Sequence, residues 1–156
     1  MIYSISETLE KADAVATAKE KKEVLREYDS KVLRSVLQYA LDPSIKFLLP
    51  EGPVAYQKNQ LSGIEHLLYS EARLLYLFVE GGNPALTNDK RLKLFVRLLE
   101  NVAPRDAELL IMVKDKKLPY ASITKSLVAQ AFPELFKKEK NEVSEERSNE
   151  TKGQKD

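Results

Sequence analysis

Ser30-Lys31-Val32-Leu33-Arg34-Ser35-Val36-Leu37-Gln38-Tyr39-Ala40-Leu41-Asp42-Pro43 sets the fold class. Val32, Leu33, Val36, Leu37 and Ala40 recur at spacings of three and four, so they share one face of an α-helix. Asp29 and Ser30 stand where a side-chain oxygen can accept the free amides of a first turn. Asp42-Pro43 ends the run, because a residue before proline avoids the α region.

The same order of cap, apolar stripe and stop recurs on both sides. Upstream, Ser4 with Glu7 and Thr17 with Glu20 have capping-box spacing, predicting helices to about Val15 and Tyr28. Downstream, Ser44–Pro53 predicts one short helical turn followed by an irregular loop to about Ser62, because two prolines and a glycine break any longer element. Leu67, Leu68, Ala72, Leu75, Tyr76 and Val79 then outline a buried helix, which Gly81-Gly82-Asn83-Pro84 stops. Thr87-Asn88-Asp89 caps a helix through Val102 with Leu92, Phe95, Val96 and Leu99 inward. Pro104 suits the first turn of the next helix, whose apolar face is Leu109, Leu110, Met112 and Val113. A last helix runs from Ser122 to Ala131 with Ile123, Leu127 and Val128 inward. Phe47, Tyr69, Tyr76, Phe78, Phe95 and Phe132 lie in apolar surroundings and are expected mostly in the core. No alternating strand pattern and no fixed-period repeat is present. The expectation is an all-α, compact bundle of about eight short helices.

Composition agrees. The chain has 156 residues, 43% of them hydrophobic, enough for one domain with its own core. Charged residues make up 31%, there are five glycines, and helix formers fill the periodic segments. Residues 1–136 read as the helical domain. Residues 137–156 are almost wholly polar and carry both signs of charge, which predicts a disordered tail. The chain has no cysteine, which excludes disulfides and thiolate metal sites and fits a reducing, cytoplasmic setting. The N-terminus lacks the pattern of a signal peptide. No apolar run approaches the roughly 20 residues of a membrane span, so no membrane partner is expected.

Catalytic chemistry is sparse. His66 is the one histidine, and it has no nucleophile pattern near it. No metal site is expected from a single histidine without cysteines. There is no Walker motif and no Gly-x-Gly-x-x-Gly, so no nucleotide cofactor is expected. Gly81-Gly82 reads as a helix-ending turn. The expectation is a protein that is not an enzyme.

The stretch with the most functional character is Val113-Lys114-Asp115-Lys116-Lys117-Leu118-Pro119-Tyr120-Ala121-Ser122-Ile123-Thr124-Lys125. Lys114, Lys116, Lys117 and Lys125 against Asp115 give a local charge of +3, although the whole chain is only +1. Ser122 and Thr124 have hydroxyls to offer phosphate oxygens, and Tyr120 is an aromatic among basic residues, as Tyr56 is to a lesser degree. These seven residues, Lys114, Lys116, Lys117, Tyr120, Ser122, Thr124 and Lys125, are the candidate nucleic-acid contacts. The alternative reading is a solvated lysine loop in which Ser122 or Thr124 caps a helix.

The order of elements resembles the N-terminal helical DNA-binding domain of ATP-dependent DNA ligases, especially the short ligases of T-even-like phages. The likeness spans about residues 2–136. It runs through the helices around Ile5–Leu9, Lys19–Leu25 and Leu33–Leu41. It ends with the helix of Leu109 and Leu110, the basic connector, and a small helix closed by Phe132-Pro133-Glu134-Leu135. It implies a connector near the DNA backbone. Where the ligase connector usually has glycine this chain has Ser122, so a contact that depends on glycine does not carry over. No Lys-x-Asp-Gly adenylation motif and no Asp-Gly dipeptide occurs, which excludes ligase catalysis. Phrases such as Tyr39-Ala40-Leu41-Asp42-Pro43, Leu48-Leu49-Pro50-Glu51-Gly52 and Phe78-Val79-Glu80-Gly81-Gly82-Asn83-Pro84 are similar to those of a small family in tailed phages. That similarity implies a phage-encoded protein acting in the host cytoplasm.

Two functions follow as expectations. The first is a non-catalytic protein that contacts the backbone of duplex DNA through the connector. The second is a helical adaptor that binds a phage or host protein of replication, transcription or defence. The loop from Leu48 to Ser62 motivates the second. Leu49, Pro50, Pro53, Val54 and Tyr56 either form an exposed apolar patch or fold back over the core.

Overall fold

A computed structural model describes residues 3–61, 63–64 and 66–136. The tail expected at 137–156 lies outside the described residues. The chain forms α1 (Ile5–Ala14), α2 (Ala18–Glu27), α3 (Lys31–Leu41), α4 (Leu67–Glu71), a 3-10 helix (Ala72–Phe78), α5 (Asn88–Glu100), α6 (Pro104–Lys114) and α7 (Lys125–Ala131). Among the described residues these eight helices are accompanied by no strand, only one antiparallel bridge between Phe47 and Val79.

The caps form where the sequence places them. Ser4 and Glu7 close a full capping box: the Glu7 amide donates to Ser4 Oγ at 3.1 Å and the Ser4 amide to Glu7 Oε1 at 2.9 Å. Thr17, Ser30, Thr87 and Thr124 each accept an amide of the first turn of α2, α3, α5 and α7. Each such cap contributes about 1 kcal/mol.

Helix α6 is the axis of the bundle and packs on α1, α3 and α5. Ala107, Leu109, Leu110 and Val113 are buried on it, together with Asp106 and Lys114 near its two ends. A helix with neighbours on several sides has apolar residues on more than one face. Around it Ile5, Leu9, Leu33, Val36, Leu37, Phe95 and Leu99 complete the core.

Helix C-termini are closed in an unusual way for a chain with so few glycines. Carbonyls of a last turn need donors, and long cationic side chains from elsewhere supply them. Lys21 Nζ donates to Asp13 O at 2.9 Å and Val15 O at 2.6 Å, at the end of α1. Arg26 donates to Gln130 O and Ala131 O at the end of α7, at 2.9 and 3.1 Å. The buried Arg91 ties Leu77 O and Leu86 O, at 3.1 and 2.9 Å, across the turn after the 3-10 helix. The arrangement also satisfies the preference of a helix C-terminus for positive charge.

Four expectations are corrected. The short helical turn after Ser44 does not form. Residues 46–48 are extended instead: the Leu48 amide donates to Phe78 O and the Glu80 amide to Lys46 O, both at 2.8 Å. This pairing gives the end of the 3-10 helix its missing partners. The single helix expected across 67–79 is α4 followed by the 3-10 helix. Three residues per turn put Ala72, Leu75 and Phe78 on one face, so Leu75 and Phe78 are buried while Tyr76, expected in the core, is 49% exposed. In α5 the buried face is Arg91, Phe95, Leu98 and Leu99, with Leu92 and Val96 only half-buried, because Arg91 is drawn inward by its carbonyl partners. The last helix starts at Lys125, not Ser122, because Thr124 is its cap. The Gly81-Gly82 stop holds for a steric reason: a Cβ on Gly82 would sit 1.7 Å from Tyr76 O.

Candidate binding groove and the basic connector

The connector between α6 and α7 is tied down residue by residue. Lys114 is buried, and its Nζ donates to Pro50 O at 2.6 Å, Gly52 O at 3.0 Å and Asp115 Oδ1 at 2.7 Å. Asp115 Oδ2 in turn accepts the Gly52 amide at 3.1 Å. The lysine and aspartate thus clamp the loop at 50–52 onto the end of α6.

Lys116 closes α6 and α3 together. The Lys116 and Lys117 amides donate to Val113 O and Met112 O, both at 2.9 Å, which is the Schellman arrangement. That arrangement needs a left-handed residue, and Lys116 takes the place with φ of 60°. Its ammonium reaches Tyr39 O and, at 2.8 Å, Asp42 O, the last carbonyls of α3. Burial holds its pKa below the usual lysine value, against the opposing pull of Asp42.

The rest of the connector divides. The Tyr120 hydroxyl donates to Ser6 O at 3.1 Å. The Ser122 amide and hydroxyl both donate to Asp13 Oδ1. Thr124 Oγ1 accepts the Leu127 amide at 3.2 Å, as the cap of α7. Lys117, Thr124 and Lys125 remain on the surface, with Lys125 over the ring of Phe136. Lys114, Lys116, Tyr120 and Ser122 therefore have their polar atoms committed to this protein's own backbone and carboxylates. The seven candidates do not converge on one phosphate-facing surface. Exposed cations occur elsewhere: Lys90, Lys93 and Arg97 share a face of α5 and make no ion pair among the described residues.

The clamp at 50–52 creates a different feature. The chain leaves it without turn or bend, and exposure alternates along Pro53, Val54, Ala55, Tyr56 and Gln57, as in an extended segment. Val54 and Tyr56 turn toward the core with Leu49, while Pro50 and Pro53 stay outside. The expected loop thus folds back over the core through alternate residues. Between this segment and α6 lies a groove of about 840 Å³. Val54, Tyr56, Ile111, Met112, Pro119 and Tyr120 give it an apolar lining; Glu10, Asp13, Glu108 and Asp115 put carboxylates around it, with Arg105 the single cation.

That charge is only partly compensated. Arg105 is taken by Glu10 at 2.5 Å and Asp115 by Lys114. Asp13 makes no ion pair among the described residues, and Glu108 meets Lys58 only at 3.9 Å with both side chains more than half exposed. Both tyrosines of the groove are shifted, chiefly by burial. Burial, then Glu10 with smaller contributions from Asp106 and Asp13, outweighs Arg105 and pushes the Tyr120 hydroxyl up to about 12. Burial and then Glu108 raise Tyr56.

Sequence reasoning missed Ile111 and the carboxylates. Glu10, Asp13 and Glu108 are far apart in the chain and read singly as solvated helix positions. The available signal was in α6, where Ile111 and Met112 exceed what one buried stripe requires.

His66 is exposed and shares a second cleft of about 610 Å³ with Asp29, Ser30 and Ser70. Those groups are engaged elsewhere: Ser30 caps α3, Asp29 forms a two-point ion pair with Arg34 at 2.6 and 2.7 Å, and Ser70 donates to Leu67 O. Among the described residues no cluster of three His, Asp or Glu is placed to hold a metal, and no helix is long and apolar enough to cross a membrane.

The fold and groove define an all-helical protein with an open, acid-rimmed apolar cleft along its axial helix. Residues 8–120 match a family described as a family of unknown function (DUF6433), and the chain belongs to that family. No curated protein and no solved structure matches it.

Proposed function

We propose that this is a non-catalytic helical adaptor that binds another protein through the groove between residues 53–57 and α6. The observation that carries the reading is the groove itself, with apolar side chains inside and carboxylates around it. A cleft of this size holds several side chains and desolvates them, which is what an anchoring site requires. The commitment of Lys114, Lys116, Tyr120 and Ser122 to internal bonds supports it further, by removing donors on which the DNA reading relied. The likeness to tailed-phage proteins makes a phage or host protein in the host cytoplasm the expected partner.

The test is capture from phage-infected host cells by the full chain and by a Met112→Lys variant, with folding of both checked by circular dichroism. A partner recovered by the parent and reduced at least tenfold with the variant is the expected result. Equal recovery by both would remove the groove as the site.

Duplex DNA remains a second reading, favoured by one observation. Lys117, Thr124 and Lys125 face solvent, and the connector's one acid, Asp115, is already paired with Lys114. The resemblance to the ligase domain points the same way. Fluorescence anisotropy with intact, nicked and single-stranded DNA across a salt series tests it. Salt-sensitive binding that a Lys117→Glu, Lys125→Glu pair abolishes would establish the connector as the contact. Binding that this pair leaves intact would move attention to Lys90, Lys93 and Arg97 on α5.

A further inference from the structure

We infer that the groove takes an extended, cationic segment of a partner protein, which pairs with the backbone of Val54–Tyr56 as an added β-strand. The inference rests on the adaptor reading and specifies its mode and chemistry.

The backbone carries the first part of the argument. Val54, Ala55 and Tyr56 make no backbone hydrogen bond within the described chain, whereas the extended residues at 46–48 are paired with 78–80. The segment is held open at both ends: the Gly52 amide is anchored on Asp115 and the Gln57 amide donates to Glu100 Oε2 at 2.8 Å. The alternation of half-buried Val54 and Tyr56 with exposed Pro53, Ala55 and Gln57 is that of a strand lying on a core. An extended segment with free amides and carbonyls is a template for another strand. A helical partner satisfies its own backbone and would leave these groups unused.

Charge sets the chemistry of the added strand. Its alternate side chains, about 7 Å apart, would enter the groove beside Met112, Ile111 and Tyr120. There they meet Asp13, whose carboxylate makes no ion pair among the described residues, and Glu108, whose partner Lys58 stands 3.9 Å away on the exposed side, while Arg105 is held by Glu10. A segment offering an apolar side chain and a lysine or arginine complements both the lining and the carboxylates. A polyanion in the same place would be repelled.

The probe is a ten-residue peptide in which lysine alternates with valine, set against the full chain. Controls are the same peptide with glutamate for lysine and one with N-methylated valines, which removes a row of amides. Binding is read by amide exchange at Val54, Ala55 and Tyr56 and by titration of chemical shifts. The lysine peptide should slow exchange at two or more of these amides at least tenfold. The glutamate and N-methylated peptides should bind at least tenfold more weakly. An Ala55→Pro substitution, on an exposed extended residue, should weaken the lysine peptide similarly without lowering the melting temperature.

No binding by the lysine peptide, equal binding by the N-methylated peptide, or shifts confined to other surfaces would overturn strand addition. If strand addition fails while partner capture still depends on Met112, the adaptor reading survives with another mode. If capture is indifferent to Met112→Lys, the adaptor reading fails as well.

Discussion

The connector at 114–125 and the extended segment at 53–57 are neighbours across the groove, and they differ in where their polar groups are bonded. The connector is dense with lysines, hydroxyls and an aromatic, yet four of its seven candidate residues are bonded inward. The extended segment, Pro53-Val54-Ala55-Tyr56-Gln57, has no charge, yet among the described residues its Val54–Tyr56 backbone makes no backbone hydrogen bond. Charge in a sequence marks where solvation or pairing must be found. It does not say whether the pairing is internal. In a chain that closes its helix ends with lysine and arginine, much of the basic character is structural.

The comparison is most sharply broken at Lys114. Replacing it with methionine leaves Asp115 half-buried without its partner and frees two loop carbonyls. The expected loss is about 3–5 kcal/mol in urea unfolding, and the groove should loosen with it. A loss under 1 kcal/mol would mean that Lys114 is not the clamp.

Lys116 separates two effects at one position. Lys116→Met removes the ties to α3 and should cost about 2 kcal/mol. Lys116→Gly loses the same ties but relieves the left-handed backbone, and should cost about 1 kcal/mol less than the methionine variant. Equal losses would indicate that the φ of 60° carries no strain.

Tyr120 gives the comparison a pH axis. Its folded pKa is raised to about 12 from the usual tyrosine value of about 10, so the fold favours the protonated phenol. That contribution is fully present below pH 10 and is lost as pH rises to about 12. Tyr39, Tyr56 and Tyr69 are raised too and act in the same direction. Lys116 acts oppositely, because its lowered pKa makes the fold's burden lighten as pH approaches 10.5. Unfolding followed from pH 9 to 12 should show a net fall that is shallower in Tyr120→Phe. An unchanged slope would place Tyr120 outside the titration.

The smallest effect is expected on the open side. Lys117→Ala and Pro53→Ala touch exposed positions and should each change stability by less than about 0.5 kcal/mol. Amides of Val54, Ala55 and Tyr56 should exchange far faster than those of Leu127 and Val128, which are bonded in α7. Slow exchange at 54–56 in the isolated chain would mean that the edge is already covered.

Helix starts were legible because a cap is local: Ser4 with Glu7, Thr17, Ser30 and Thr87 act on amides two or three residues away. The 3-10 winding at 72–78 was not legible, since spacings of three and four mix in Leu75, Tyr76, Phe78 and Val79. The inward turn of Arg91 was hidden for another reason, because its acceptors are carbonyls, which every residue possesses. The basic connector was legible as a polar link between α6 and α7, but the partners of its side chains were not. Lys117, Thr124 and Lys125 do face solvent; Lys114 and Lys116 find acceptors more than sixty residues away.

The sequence by itself determined an all-helical chain, the positions of its caps and stops, and the apolar stripes that meet in one core. Those follow from interactions within a turn or two and from periodicity. Tertiary structure decided which cations are surface and which are ties, and that Glu10, Asp13 and Glu108 border one groove. Long side chains reach well away from the backbone and bond whatever packing brings near. Which carbonyl that is, and which backbone edge is left unpaired, is fixed only when the helices have docked.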